Sequence, residues 1–219
     1  MPSFKIAKEL TGGRKGLHMN LERMLPALVI AALLFLPASA VARGHDGFYA
    51  GVGYEQLFMY TPEHRLGAGS QPRITFGPGF GGNAVFGYDF PNSRWGVQLP
   101  FEFASQKLNS SEWVNQFNVS VEGVVHLVEW DNGLDFHLVG GGGWTYLTEG
   151  KYSDNTSGAG FIASLGPGLS YYFSRTEKIS AALAVELPLR FIYYFGDRLS
   201  RNGTAIFGIP LRLSLQVGF

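Results

Sequence analysis

The sequence predicts an all-β fold built from antiparallel strands. After Arg43, apolar and polar side chains alternate with a period of two in one segment after another, which is the spacing of a strand with two unlike faces. Gly, Pro, Asn and Asp residues separate these segments and are typical of turns. No part of this stretch keeps a helical periodicity, so we expect a sheet without helices.

The composition excludes several classes of protein. The 219 residues include 30 glycines and no cysteine, with 15% aromatic and only 16% charged residues, against about 25% charged in typical soluble proteins. Such a chain is too apolar for disorder, too rich in glycine for a helical bundle, and lacks thiolates for disulfides or metals. The net charge is zero, so no strongly basic surface for nucleic acid is expected.

Residues 1–42 are predicted to be an N-terminal extension with a cleavable signal peptide. A positively charged start precedes 13 mostly apolar residues, 24–36, and small residues follow them. This run is shorter than the roughly 20 residues that a helix needs to cross a bilayer. We expect cleavage after Ala40 or Ala42, which leaves residues 43–219 as the folded domain.

Eight segments of the folded domain carry the alternation. The predicted strands are residues 48–59, 76–90, 95–103, 114–130, 136–146, 161–173, 179–191 and 205–219. Four long connections, 60–73, 105–113, 148–160 and 194–204, alternate with three short turns. Prolines within the predicted strands are expected at bulges, because proline has no N–H group to donate to a neighbouring strand.

The turn between the fourth and fifth strands predicts their register. Asn132 and Gly133 tolerate the positive φ angles of a two-residue type I′ turn. A turn centred on this pair places odd residues of the fourth strand opposite even residues of the fifth, in agreement with the apolar faces of both. It also predicts that His126 and His137 are diagonal neighbours.

The final strand carries an unbroken apolar face. Its members are Ile209, Leu211, Leu213, Leu215, Val217 and Phe219. The pattern resembles the C-terminal strand of bacterial outer-membrane β-barrels, which ends in Phe with apolar residues two and four positions earlier. The resemblance implies an eight-stranded antiparallel up-and-down transmembrane β-barrel in the Gram-negative cell outer membrane. It further implies that Leu215, Val217 and Phe219 are an assembly signal read by the barrel-assembly machinery, and that outer-membrane lipid and lipopolysaccharide surround the protein.

Alternation alone leaves open which face is inside. A soluble barrel of the lipocalin kind has its apolar face inward, whereas a membrane barrel has it outward. Long connections that alternate with short turns are the layout of a transmembrane barrel. Aromatic residues near strand ends fit the two membrane interfaces, and they are Tyr88, Trp95, Trp130, Trp144 and Tyr146. These features favour an apolar face directed toward lipid and a closed sheet, since open edges in hydrocarbon would leave backbone groups unpaired.

The opposite face then points into the lumen. Its predicted charge network consists of Glu55, Glu102, Glu122, Glu186, Arg190 and Arg212. Glu55 and Arg212 each lie seven residues from their end of the first or last strand, so closure predicts an ion pair between them. An eight-stranded interior is just wide enough to be filled by side chains. We expect a packed charged layer, with a narrow gated pore for small solutes as the porin-like alternative.

An enzyme is the second alternative. Some outer-membrane barrels that this chain resembles in size modify lipid A, as hydrolases or acyltransferases that use His with Ser and an acid. His126 and His137 point inward on the same face as Ser120, but no G-x-S-x-G or comparable motif accompanies them. The five histidines are scattered without paired spacing, so no metal site and no cofactor are expected. We predict a monomeric, non-enzymatic barrel with a structural envelope or surface-interaction role.

Overall fold

The computed structural model describes residues 46–60, 75–108, 112–148, 158–176, 179–195 and 204–219. All of them belong to one compact unit, Ala38–Phe219. The predicted signal peptide and both predicted cleavage positions lie outside the described residues. Within the described ranges, no helix is long and apolar enough to cross a membrane.

Nine strands of the described chain form one antiparallel sheet. They are β1 (Gly47–Tyr60), β2 (Gly79–Asp89), β3 (Trp95–Leu108), β4 (Glu112–Glu129), β5 (Leu134–Leu147), β6 (Gly158–Arg175), β7 (Ser180–Glu186), β8 (Leu189–Tyr194) and β9 (Thr204–Gly218). Each strand from β1 to β6 pairs with the next, and β6 and β9 each pair with both β7 and β8. β1 also pairs with β9, so the sheet closes into a ring.

β7 and β8 are two parts of one barrel strand. On β6, Gly168 pairs with Glu186 and Leu165 pairs with Leu189, so the register is the same on both sides of the break. Pro188 lies in the break, and its missing N–H group interrupts the hydrogen bonds without shifting the strand. The ring therefore has eight strand positions, which confirms the predicted all-β, eight-stranded antiparallel barrel. The predicted bulge at this proline is wrong.

The β4–β5 turn differs from the predicted one. The N–H of Gly133 donates to the carbonyl of Trp130 (3.0 Å), and the N–H of Trp130 donates to the carbonyl of Leu134 (2.8 Å). The loop thus has three residues, and Gly133 has a φ of 91°, a left-handed conformation that glycine adopts without strain. The predicted two-residue type I′ turn is wrong, because the turn spans Asp131 as well as the Asn-Gly pair.

A β-bulge between His126 and Val128 compensates for the extra loop residue. On the side of the bulge that is away from the turn, odd residues of β4 face even residues of β5, as predicted. At the bulge, Val128 rather than Leu127 becomes the exposed side chain. The bulge also places His126 directly opposite His137, so the predicted diagonal relation of the two histidines is wrong.

The second predicted long connection is mostly strand. β3 continues to Leu108, which pairs with Glu112 at the start of β4, so only residues 109–111 join the two strands. The polarity of this stretch had suggested a loop. Gln106 and Leu108 of this stretch instead face the lumen, where the Gln106 amide donates to the Gln116 amide oxygen (2.9 Å).

The two faces of the sheet differ as the alternation predicts. Bulky apolar side chains of every strand are exposed on the outside, among them Val52 at 67% and Trp144 at 62%. Aromatic pairs such as Phe103–Phe117, with ring centroids 5.0 Å apart, also lie on this face. A continuous apolar surface around the whole sheet is far larger than soluble monomers expose, whereas the inward side chains are buried and largely polar.

Candidate functional site: the barrel lumen

Inward side chains fill the lumen in three layers. We call the end with the short turns after β2 and β4 the turn end, and the opposite end the loop end. The turn-end layer contains Asp89, His126, Asp135 and His137. The charged layer contains Glu55, Glu102, Glu122, Glu186, Arg190 and Arg212. The apolar layer contains Leu108, Val114, Leu147, Ile162, Ile192, Tyr194 and Ile206.

Arg212 is the centre of the charged layer. Its two terminal nitrogens donate to the two oxygens of Glu122, both at 2.8 Å, and Nη1 also donates to Glu186 at 2.9 Å. Its Nε lies 2.6 Å from Glu102 Oε1. Bidentate guanidinium–carboxylate pairs are among the strongest hydrogen-bonded contacts in proteins. One buried side chain of β9 thus joins carboxylates from β3, β4 and β7.

Arg190 completes the charged layer. Its Nη2 donates to Glu102 Oε1 at 2.7 Å, and its Nη1 lies 3.7 Å from Glu55 Oε1. The six predicted lumen residues are therefore brought together in one connected cluster. Glu55 and Arg212 are neighbours in the β1–β9 register, but the predicted ion pair between them is wrong. The long Arg212 side chain reaches across the lumen to the other three carboxylates.

Neutral side chains support the charged layer. Gln98 Nε2 donates to Glu122 (3.0 Å) and to Glu186 (3.3 Å), and it lies in the middle of the cluster. The hydroxyl of Ser164 donates to Glu122 Oε1 at 2.7 Å, and that of Ser120 lies 3.4 Å from the same oxygen. Sequence reasoning missed the roles of Gln98 and Ser164, although both lie on the inward face of their strands.

The turn-end layer is a cluster of imidazoles and carboxylates. His126 Nδ1 lies 2.8 Å from Asp135 Oδ2, and its Nε2 lies 3.2 Å from Asp89 Oδ1. His137 Nδ1 lies 3.4 Å from the same oxygen of Asp135, and its Nε2 lies 3.6 Å from Glu186 Oε1. One ligand atom from each of His126, Asp135 and His137 lies within 4.8 Å of the others. The two inward histidines are therefore not scattered, contrary to what their sequence spacing suggested.

Glycines make room for this layer. A Cβ atom at Gly168 on β6 would collide with the imidazole of His137, and one at Gly96 on β3 would collide with the carboxylate of Asp89. The glycine-rich inward face therefore has a specific cause here, because large side chains on one strand occupy the space above glycines on the next.

The apolar layer was missed by sequence reasoning. At the loop end the inward side chains become apolar, and Ile192, Tyr194 and Ile206 are completely buried there. A signal was present, since residues 191–194 read Phe-Ile-Tyr-Tyr and are apolar on both faces. Strict alternation predicts a polar lumen along its whole length, whereas both faces of β8 are apolar from Phe191 to Tyr194.

A closed antiparallel ring that is apolar outside and charged inside is the architecture of an integral transmembrane β-barrel. The model of the outer membrane protein beta-barrel domain family matches residues 28–188. The chain therefore belongs to that family and is an integral protein of the Gram-negative outer membrane, which confirms the predicted family, fold and location.

Two solved structures are similar to this chain. Neisserial surface protein A is 13% identical and aligns over 80% of this chain and 98% of its own length, with a TM-score of 0.56. The N-terminal barrel domain of Pseudomonas aeruginosa OprF is 17% identical over 78% of this chain and 98% of that chain, with a TM-score of 0.42. At these identities the likeness to Neisserial surface protein A concerns the fold alone. No curated protein matches the chain.

Proposed function

We propose that this protein is a structural barrel of the outer membrane that neither conducts solutes nor catalyses a reaction. The observation that carries the proposal is the filled lumen. The charged layer occupies the middle of the barrel, and the apolar layer lies between it and the loop end. A conducting pore needs a continuous polar path, and an apolar constriction excludes water from such a path.

Single-channel recording tests the closed lumen. We expect no discrete conductance steps from the purified, folded protein in planar bilayers. The double variant Ile192→Ala/Ile206→Ala has a thinner apolar layer. Its conductance is compared with that of the outward-facing control Val121→Ala. Steps in the wild-type protein that Glu122→Gln abolishes would establish the gated pore instead.

The geometry of the histidines supports a non-enzymatic role. In the described part of the chain, neither lumen imidazole is hydrogen-bonded to a serine, and the Ser120 hydroxyl interacts with Glu122 in the charged layer. The activation of a serine hydroxyl requires a base within hydrogen-bonding distance of it. We expect an unchanged lipid A mass spectrum in cells that produce the protein. Loss or gain of an acyl chain that depends on His137 would contradict this part of the proposal.

A structural role is also favoured over surface binding. Only residues 109–111 connect β3 and β4, so one of the four expected surface loops has only three residues. Binding residues lie disproportionately on loops, and a connection of three residues offers little surface for a partner. A deletion strain that adheres normally to cells but is more sensitive to detergent would agree with an envelope role. Loss of adhesion with normal detergent resistance would favour the surface-interaction role.

The outer face supports a barrel surrounded by outer-membrane lipid and lipopolysaccharide, and we expect that barrel to be a monomer. A cavity of about 790 Å³ opens there, and Ala84, Phe101, Phe103 and Trp144 are among its lining residues. Its apolar lining suits an acyl chain. Native mass spectrometry of the detergent-purified protein is expected to show a single chain with bound lipid. A stable dimer without lipid would contradict this assignment.

A further inference from the structure

The two imidazoles of the turn-end layer share one carboxylate and each also faces another. His126 Nδ1 is hydrogen-bonded to Asp135 Oδ2 at 2.8 Å, whereas His137 Nδ1 lies 3.4 Å from the same oxygen without forming a hydrogen bond. The Nε2 atoms lie 3.2 Å from Asp89 and 3.6 Å from Glu186, respectively. Metal-bound histidines typically show this arrangement, with one nitrogen toward the ion and the other donating to an outer carboxylate.

Two atoms in the centre of this layer have no hydrogen-bond partner. They are His137 Nδ1 and Asp135 Oδ1, and the statement holds for the parts of the chain that the structure describes. The side chains of His137 and Asp135 are only 5% and 3% exposed. Buried polar atoms are rarely left unpaired, because they have lost their hydrogen bonds to water. A cation between His137 and Asp135 would satisfy both.

The charge of the lumen favours a cation. Among the described side chains, the buried carboxylates number six while the buried guanidinium groups number two, Arg190 and Arg212. The guanidinium groups contact the carboxylates of the charged layer. Asp89 and Asp135 at the turn end therefore take positive charge either from the imidazoles beside them or from a bound cation.

We propose that His126 Nδ1, His137 Nδ1 and the Asp135 carboxylate bind a divalent transition-metal ion of the zinc class. Their ligand atoms already lie within 4.8 Å of one another. A tetrahedral ion with bonds of about 2.0–2.1 Å holds its ligands roughly 3.3 Å apart, so small side-chain rotations suffice. Imidazole and carboxylate together suit zinc, nickel or cobalt rather than magnesium or calcium. Asp89 and Glu186 orient the two rings from outside the coordination sphere.

The bulge in β4 creates this site, and an approach to it exists. The bulge places His126 opposite His137, so that two histidines without the sequence spacing of a metal motif meet across the strands.

The side chain of His126 is 14% exposed and lies at the turn end, which faces the periplasm in this family of barrels. Metal ions can therefore reach the ligands without passing the charged layer.

The test is a zinc titration of the full-length barrel, folded in detergent without a histidine tag and freed of metal with a chelator. We expect one zinc ion per barrel, with weak or no binding of magnesium. His126→Gln, His137→Gln and Asp135→Asn are expected to weaken zinc binding about 100-fold, and Asp89→Asn about 10-fold. The control Asp131→Asn, in the β4–β5 turn, retains the wild-type affinity. Heat-modifiable gel mobility shows that each variant is folded.

Each result is decisive for the proposal. A folded wild-type barrel that binds no zinc would show that the turn-end layer is only a hydrogen-bonded network. Zinc binding that survives in folded His126→Gln and His137→Gln barrels would place the ion elsewhere and overturn the site. If these variants do not fold, the test is the absorption spectrum of the cobalt-loaded wild-type barrel. A spectrum that does not show tetrahedral ligation by nitrogen and oxygen would contradict the proposal. None of these outcomes bears on whether the lumen conducts.

Discussion

Replacement of Arg212 by methionine is the most direct test of the charged layer. Methionine keeps most of the side-chain volume and removes the guanidinium group. Glu122 then loses two hydrogen bonds of 2.8 Å and Glu186 loses one of 2.9 Å. These carboxylates remain buried, with side chains at most 7% exposed, so water cannot readily replace the lost contacts.

The expected loss is large for a single substitution. Removal of one partner from a buried ion pair typically costs about 3–5 kcal/mol, because the remaining charge has no compensation. Every 1.4 kcal/mol is about tenfold in an equilibrium constant. We therefore expect Arg212→Met to lower the folding equilibrium constant by about 100-fold to several thousand-fold.

Arg190→Met is the matched comparison. Arg190 is just as buried, but within the described part of the chain its one hydrogen bond to a carboxylate goes to Glu102. Glu102 keeps Arg212 Nε at 2.6 Å after the change. Glu55 loses Arg190 Nη1, but at 3.7 Å that contact is longer than a hydrogen bond. We expect a smaller loss, about 1.5–3 kcal/mol, which is typical of one hydrogen bond to a charged group.

The measurement is reversible denaturant unfolding of the barrel in lipid vesicles, followed by tryptophan fluorescence and by heat-modifiable gel mobility. The double variant Glu122→Gln/Arg212→Met should recover at least about 1 kcal/mol relative to Arg212→Met, because residues in direct contact are energetically coupled. A loss below about 1 kcal/mol for Arg212→Met, or an additive double variant, would refute the view that these contacts stabilise the barrel.

Three further predictions concern the outer face, the lumen glycines and the last strand. Val121 is an outward residue that is 56% exposed. Val121→Arg should destabilise the barrel in vesicles by about 2–4 kcal/mol if this residue lies near the bilayer midplane, whereas Val121→Leu should be neutral. An equally small effect of both substitutions would contradict a lipid-facing surface. Gly168→Ala should cost about 1–3 kcal/mol in the same unfolding assay because its Cβ collides with the His137 ring. The control Gly123→Ala, where a Cβ meets only one atom at 3.8 Å, should be near neutral, and equal losses would exclude the collision as the cause. Phe219→Ala should lower the amount of barrel in the outer-membrane fraction several-fold on immunoblots, if Leu215, Val217 and Phe219 are the assembly signal; an unchanged amount would contradict that assignment.

The strand count, the outward face and the inward charged residues were all predictable from local patterns. Alternation depends on the two-residue geometry of a strand, which no distant contact alters. The inward positions of Glu55, Glu102, Glu122, Glu186, Arg190 and Arg212 follow from that parity alone. Strand ends were less predictable, since the polar stretch around Gln106 has the composition of a loop but lies inside the barrel.

Side-chain partners were not predictable from parity. Glu55 and Arg212 are neighbours in the backbone register, but an arginine side chain is long enough to cross a narrow lumen and choose among several carboxylates. Its partners depend on all the strands around it. The two lumen histidines illustrate a second limit, because a bulge of one residue in β4 decides which side chain faces which on β5.

The sequence by itself determined that this chain closes into an eight-stranded barrel with an apolar exterior. Each strand carries that information locally, and unpaired backbone groups in hydrocarbon make closure unavoidable. Only the tertiary structure decided that Arg212 binds three carboxylates, that His126, Asp135 and His137 converge, and that apolar side chains occupy the loop end. These contacts join residues from different strands across the lumen, where closure of the ring and the offsets of turns and bulges set the distances.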